Sequence, residues 1–123
     1  MISPELKHVE ALARFAGRAG FIVNISSLAA KNAFSGGAAY NASKAGLNLF
    51  SEALMQDHRY DNVRVCVVMP GSVDTAFSPQ RSGGDSSWKI APEDVAEAVA
   101  MVLRMPPRTT VSSVEIRPSR PGK

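Results

Sequence analysis

Three short apolar runs, separated by stretches of helical spacing, constrain this chain more than any other feature. The runs are Phe21-Ile22-Val23-Asn24-Ile25-Ser26, Val63-Arg64-Val65-Cys66-Val67-Val68-Met69 and Val111 to Ile116. They are rich in β-branched residues and nearly continuous in apolar character, the pattern of strands buried on both faces. Ser3-Pro4-Glu5 reads as a helix start, followed at helical spacing by Leu6, Val9, Leu12, Ala13 and Ala16, with Gly17 and Gly20 as its stop. Tyr40 to about Arg59 reads as a second helix with apolar residues on more than one side. Ala91-Pro92-Glu93-Asp94 opens a third, which runs to about Arg104 and ends before Pro106-Pro107. Helices alternating with strands imply a parallel sheet with crossover connections. The expected fold is therefore α/β, with three parallel strands near 21–26, 63–69 and 112–117 and helices on both faces. Ala30 to Gly37 reads as a loop, and Ser72 to Ile90 as a long mobile segment rich in Ser, Gly, Asp and Pro.

Composition narrows the function classes. A hydrophobic fraction of 45% over 123 residues fits one globular domain. Cys66 is the single cysteine, so no disulfide within the chain and no cysteine-based metal site is expected. His8 and His58 are far apart and show no metal-ligand spacing. No apolar run approaches the roughly 20 residues of a membrane span. No basic-then-apolar export signal opens the chain. These features predict a cytoplasmic protein with no metal and no membrane partner. The net charge is +3, and Arg117, Arg120 and Lys123 cluster in a solvated tail. Without an aromatic-basic pattern, no nucleic-acid partner is expected.

The chemistry concentrates in Tyr40-Asn41-Ala42-Ser43-Lys44. Residues four apart share one helix face, about 6 Å apart along the axis. A free tyrosine has a pKa of about 10, and a nearby ammonium favours the phenolate. Such a phenol donates a proton to a carbonyl or removes one from an alcohol. Asn24-Ile25-Ser26-Ser27 ends the first strand, thirteen residues before Tyr40. Met69-Pro70-Gly71-Ser72-Val73-Asp74-Thr75 ends the second. Ligands of parallel sheets bind at the carboxyl ends of the strands, so a serine hydroxyl and the backbone of a Pro-Gly turn would both face that edge. Ser86-Ser87-Trp88-Lys89 has the S-x-x-K spacing of some serine hydrolases, but it lies in a Gly/Ser-rich loop without the helix needed to align the lysine, and no G-x-S-x-G elbow is present.

Taken together, these three segments resemble the short-chain dehydrogenase/reductase family in order and spacing, from about Pro4 to about Arg104. The resemblance implies a partial doubly wound, Rossmann-like sheet and a carbonyl–alcohol oxidoreductase using NAD or NADP on a small-molecule substrate. It selects Ser27 over Ser26 as the group that orients the substrate oxygen. It implies Tyr40 as general acid or base and Lys44 as the ligand of the nicotinamide ribose. Pro70, Gly71, Val73 and Thr75 would line the nicotinamide carboxamide. The Ser78 to Ile90 segment would be the substrate loop, with Phe77 and Trp88 against an apolar substrate or, for Trp88, packed in the protein. The resemblance also implies a homo-oligomer through helices 4–16 and 40–59.

Two family features are missing from the sequence. No G-x-G-x-x-G follows an N-terminal strand, and the family's catalytic asparagine would align just before Met1. Residues 1–123 thus correspond to the C-terminal half of the family's nucleotide-binding catalytic domain. The expectation is a weakly cofactor-binding, self-associating chain when isolated, because the pyrophosphate site is absent and the first strand has an open apolar edge. The competing function is a non-catalytic oligomerisation module of the same fold.

Overall fold

A computed structural model of the chain describes residues 19–74 and 85–122. Within them, strand β1 spans Gly20–Ile25, helix α1 spans Ala38–His58, strand β2 spans Val63–Pro70, helix α2 spans Pro92–Leu103 and strand β3 spans Ser113–Ile116. The expected helix over Pro4–Ala16 lies outside the described residues. The sheet order is β1-β2-β3, and both pairings are parallel, as the alternation of elements predicted. Gly20 to Ile25 face Val63 to Val68 in register, and Val67 to Pro70 face Ser113 to Ile116.

The position of β2 between two strands explains its composition. Val63, Val65 and Val67 point to one face, where Leu54, Phe50 and Met55 of α1 and Leu28 meet them. Cys66 and Val68 point to the other, where Val102, Val95 and Val99 of α2 cover them. The two helices therefore lie on opposite faces, giving three layers. Burying a valine of this kind contributes about 1.5–3 kcal/mol. Burial also pushes the Cys66 thiol up to about 11, because a thiolate loses its hydration there. Native protein at neutral pH is therefore expected to resist alkylation at Cys66 and to become labelled only on unfolding. Rapid labelling under native conditions would contradict that burial.

Local signals set the element ends. Helix α1 begins two residues before Tyr40, at Ala38, because the Asn41 N–H already donates to the Gly37 carbonyl at 2.7 Å. A 3-10 turn, Arg59–Asp61, follows α1, and Asn62 then takes φ 61° to redirect the chain into β2. Pro92 at the first position of α2 and the Asp94 carboxylate, which accepts from the Ala91 N–H at 3.0 Å, start that helix. The third strand is shorter than expected: Val111 lies before its paired region and packs on the α2-side core.

A 3-10 turn over Leu28–Ala30 leads into the loop expected up to Gly37. One other expectation needs correction: the segment before α2 is tied down in its last part. Ile90 forms a parallel bridge with Val73, through Ile90 N–H to Ser72 O at 2.9 Å and Asp74 N–H to Ile90 O at 2.8 Å. The chain had to read as loop there, since a single bridge leaves no periodic pattern.

A buried polar relay fixes α1 on the sheet. Asn24 Nδ2 donates to Ser51 Oγ at 2.8 Å, and Ser51 Oγ donates to the Leu47 carbonyl at 2.8 Å. Both residues are buried, so each polar group needs its partner. No helix among the described residues is long and apolar enough to cross a membrane.

Candidate active site

Tyr40 sits in the first turn of α1, and Lys44 follows one turn later. The Lys44 ammonium lies 5.7 Å from the centroid of the Tyr40 ring, within range of a cation–π contact. Tyr40 is 47% exposed, and its hydroxyl takes no hydrogen bond from a described residue. Lys44 forms no ion pair among the described residues. A phenol and an ammonium thus share one helix face, with no hydrogen-bond or ion-pair partner among the described residues.

Ser27 caps the 3-10 turn that follows β1, its Oγ accepting from the Ala29 N–H at 3.1 Å. That turn packs against α1. Asn41, next to Tyr40, ties the two together: its Nδ2 donates to the Ala29 carbonyl at 2.7 Å and to the Asn32 carbonyl at 3.2 Å. Its Oδ1 accepts from the Phe34 N–H at 3.4 Å. The structure thereby brings the Ser27 turn and the Tyr40 end of α1 together at the carboxyl edge of the sheet. Ser26, the alternative hydroxyl, is buried and has no hydrogen-bond partner among the described residues, so it is turned into the protein.

Phe34 adds an exposed ring beside Tyr40, at a centroid distance of 6.3 Å and a tilt of 48°. Gly37 lies directly beneath it, and a Cβ there would push the exposed Phe34 ring aside. Asn41 and Phe34 were not singled out by the sequence. The available signal was an asparagine early in a helix, where it readily bonds a neighbouring loop.

Pro70 ends β2 opposite Ile116, and the Gly71 N–H donates to the Ile116 carbonyl at 2.8 Å. Gly71 is tightly lined: a Cβ there would lie 3.3 Å from both Leu28 Cδ1 and Pro118 Cδ. Leu28 follows Ser27 directly, so the Pro-Gly turn borders the serine turn. Val73 pairs with Ile90 through the flanking groups of Ser72 and Asp74. The Val73 N–H and C=O therefore face away from that bridge. One donor and one acceptor side by side match the needs of a planar carboxamide, so the residues present fit a nicotinamide. Thr75 and Phe77 lie outside the described residues, as does the first part of the expected substrate loop. Trp88, in its last part, packs against Gly122 of the C-terminal tail.

The serine turn has a second tether. The Lys31 ammonium binds the Glu115 carboxylate of β3. That hydrogen bond, the charge beside it and the lesser contact from Arg117 lower the Glu115 pKa. Among the described residues no group of His, Cys, Asp and Glu is arranged to hold a metal ion.

Known proteins are similar to this chain in sequence and in fold. A family profile described as short chain dehydrogenase matches residues 4–85. A serine 3-dehydrogenase from Rhizobium radiobacter is 34% identical over 110 residues, covering 82% of this chain and 44% of that protein. An NADP-dependent 3-hydroxy acid dehydrogenase from Schizosaccharomyces pombe is 30% identical over 112 residues, covering 84% of this chain and 43% of that protein. The chain thus spans less than half the length of these relatives. Among solved structures, the closed form of serine dehydrogenase complexed with NADP+ superposes with a TM-score of 0.76 at 31% identity, covering 91% of this chain and 50% of that one.

Proposed function

Because this chain belongs to the short chain dehydrogenase family, we propose that it carries the proton-transfer half of a nicotinamide-dependent oxidoreductase that interconverts a small carbonyl compound and its alcohol. The observation that carries this reading is the pair Tyr40 and Lys44 on one face of α1, with the Lys44 ammonium 5.7 Å from the ring, beside the Ser27 turn. In this reading residues 1–123 are the C-terminal half of a dinucleotide-binding catalytic domain.

When bound, the cofactor, NAD or NADP, supplies or accepts the hydride. The chain's own residues do the rest. Lys44 holds the ribose hydroxyls and stabilises negative charge developing on the phenol oxygen. Pro70, Gly71, Val73 and Thr75 line the carboxamide, with the Val73 N–H and C=O as its polar contacts. Ser27 donates a hydrogen bond to the substrate oxygen and orients it. In reduction, Tyr40 gives its hydroxyl proton to that oxygen as the carbonyl carbon takes up hydride. In oxidation it removes the proton from the alcohol. Named relatives acting on serine and on 3-hydroxy acids support small hydroxylated substrates.

Self-association through α1 belongs to the same reading. Leu49 is 70% exposed on that helix, an apolar position that a second copy would cover.

The reading is tested by cofactor titration and by following nicotinamide oxidation with small aldehydes and ketones. Lys44→Ala is expected to weaken cofactor binding by about 10-fold or more, as loss of a charged hydrogen bond of about 1.5–3 kcal/mol implies. Unchanged cofactor affinity in that variant would remove Lys44 from the site.

A further inference from the structure

We infer that Asn41 is a positioning residue for the reaction, setting Ser27 in register with Tyr40; the inference rests on the proposed roles of those two residues. They are carried by different elements. Ser27 lies in a turn after β1, whereas Tyr40 is fixed to a helix. Two reacting groups on separate elements need a connection, since a misplacement of about 1 Å can cost about 100-fold in rate. The Asn41 amide is that connection. Its two donor bonds, at 2.7 Å to Ala29 O and 3.2 Å to Asn32 O, span the turn. Its oxygen also accepts from Phe34 N–H, at 3.4 Å. The Ala29 peptide is held from both ends, because the Ala29 N–H donates to Ser27 Oγ. A continuous chain of bonds therefore runs from the helix position beside Tyr40, through Ala29, to the Ser27 hydroxyl.

The chemistry of the amide matters. Its NH2 group supplies both donors to the carbonyls, and its oxygen supplies the acceptor. An aspartate has the same size but only acceptors, and would face two carbonyl oxygens with a negative charge. An alanine removes all three contacts. Lys31, on the same turn, is anchored to Glu115 of β3, which holds the turn to the sheet but not to α1. Asn41 alone among these tethers joins the turn to the helix that bears Tyr40.

The test is a double-mutant cycle in the complete catalytic domain that carries these residues, with turnover, cofactor affinity and thermal unfolding measured for each variant. Asn41→Ala is expected to lower kcat by about 10- to 100-fold with cofactor affinity unchanged. In a Ser27→Ala background, adding Asn41→Ala is expected to change kcat by less than about 2-fold, because the group that Asn41 positions is already gone. Additive losses would assign Asn41 a merely structural role and overturn the proposal, as would wild-type turnover in Asn41→Ala. Should Asn41→Ala fail to fold, Asn41→Asp decides, with loss of kcat expected and retention overturning. Tyr40→Phe separates the two levels. If it stays active in the complete catalytic domain, the underlying reading fails and takes this one with it. If it is inactive while Asn41→Ala and Asn41→Asp are not, only the Asn41 role fails.

Discussion

In the complete catalytic domain, Tyr40→Phe is expected to lower turnover by about 1,000-fold, within the span assigned to a positioned acid–base group, while leaving thermal unfolding within about 0.5 kcal/mol of wild type. The substitution removes one oxygen and keeps the ring. Tyr40 is 47% exposed, and its hydroxyl has no bonding partner among the described residues, so folding loses little. The ring contact with Phe34 at 6.3 Å and the Lys44 cation–π contact at 5.7 Å both survive. Catalysis loses the atom that carries the proton. Carbonyl reduction near the wild-type rate would exclude Tyr40 as general acid. A large drop in unfolding temperature would instead mean that the hydroxyl has a structural partner.

Arg64→Ala is expected to have the largest effect on stability, about 3 kcal/mol, from charge-assisted hydrogen bonds worth about 1.5–3 kcal/mol each and a cation–π contact worth about 0.5–1 kcal/mol or more. Arg64 Nη1 lies 3.2 Å from Met105 O, 3.2 Å from Pro106 O and 3.0 Å from Thr109 O. One nitrogen has two hydrogens, so three acceptors share two donors and the contributions do not sum. The guanidinium also stacks 4.7 Å from the Phe21 ring centroid. It thus fastens the connection between α2 and β3 to both β1 and β2. Without it the Met105 and Thr109 carbonyls lose the guanidinium donor, the Pro106 carbonyl keeps only the Thr109 N–H at 2.9 Å, and the Pro-rich connection is free to lift. Urea unfolding measures the change directly. A loss below about 1 kcal/mol would show that water replaces the guanidinium at these carbonyls. Arg64→Lys should recover only part of the stability, since an ammonium lacks the planar fork and stacks less well.

The same residue shows where reading a chain in one dimension runs out. Val63-Arg64-Val65 announces a strand by its valines, and the arginine within it looks like a solvated interruption. Its acceptors lie 41, 42 and 45 residues away, and nothing local specifies which carbonyls a long side chain will find. Asn41 is a similar case. Its spacing from Tyr40 was visible, but its partners at Ala29 and Asn32 exist only once the turn after β1 has folded onto α1. The bridge between Val73 and Ile90 left no periodic trace either, because it is a single pairing across a segment otherwise read as loop.

Among the described residues, sequence alone determined the kinds and order of the main elements, their parallel arrangement and the placing of Tyr40 and Lys44 on one helix face. These follow from short-range physics. β-branched runs suit extended backbone, a four-residue spacing aligns side chains on a helix, and alternation of the two element types leaves few topologies. Tertiary structure decided which hydroxyl of the Ser26–Ser27 pair turns into the protein, which ring lies beside Tyr40, and which polar side chains join separate elements. Those outcomes depend on contacts between residues distant along the chain. Hydrogen bonds have length and direction, and both are set only when the sheet has brought its carboxyl edge, the serine turn and the start of α1 to one place.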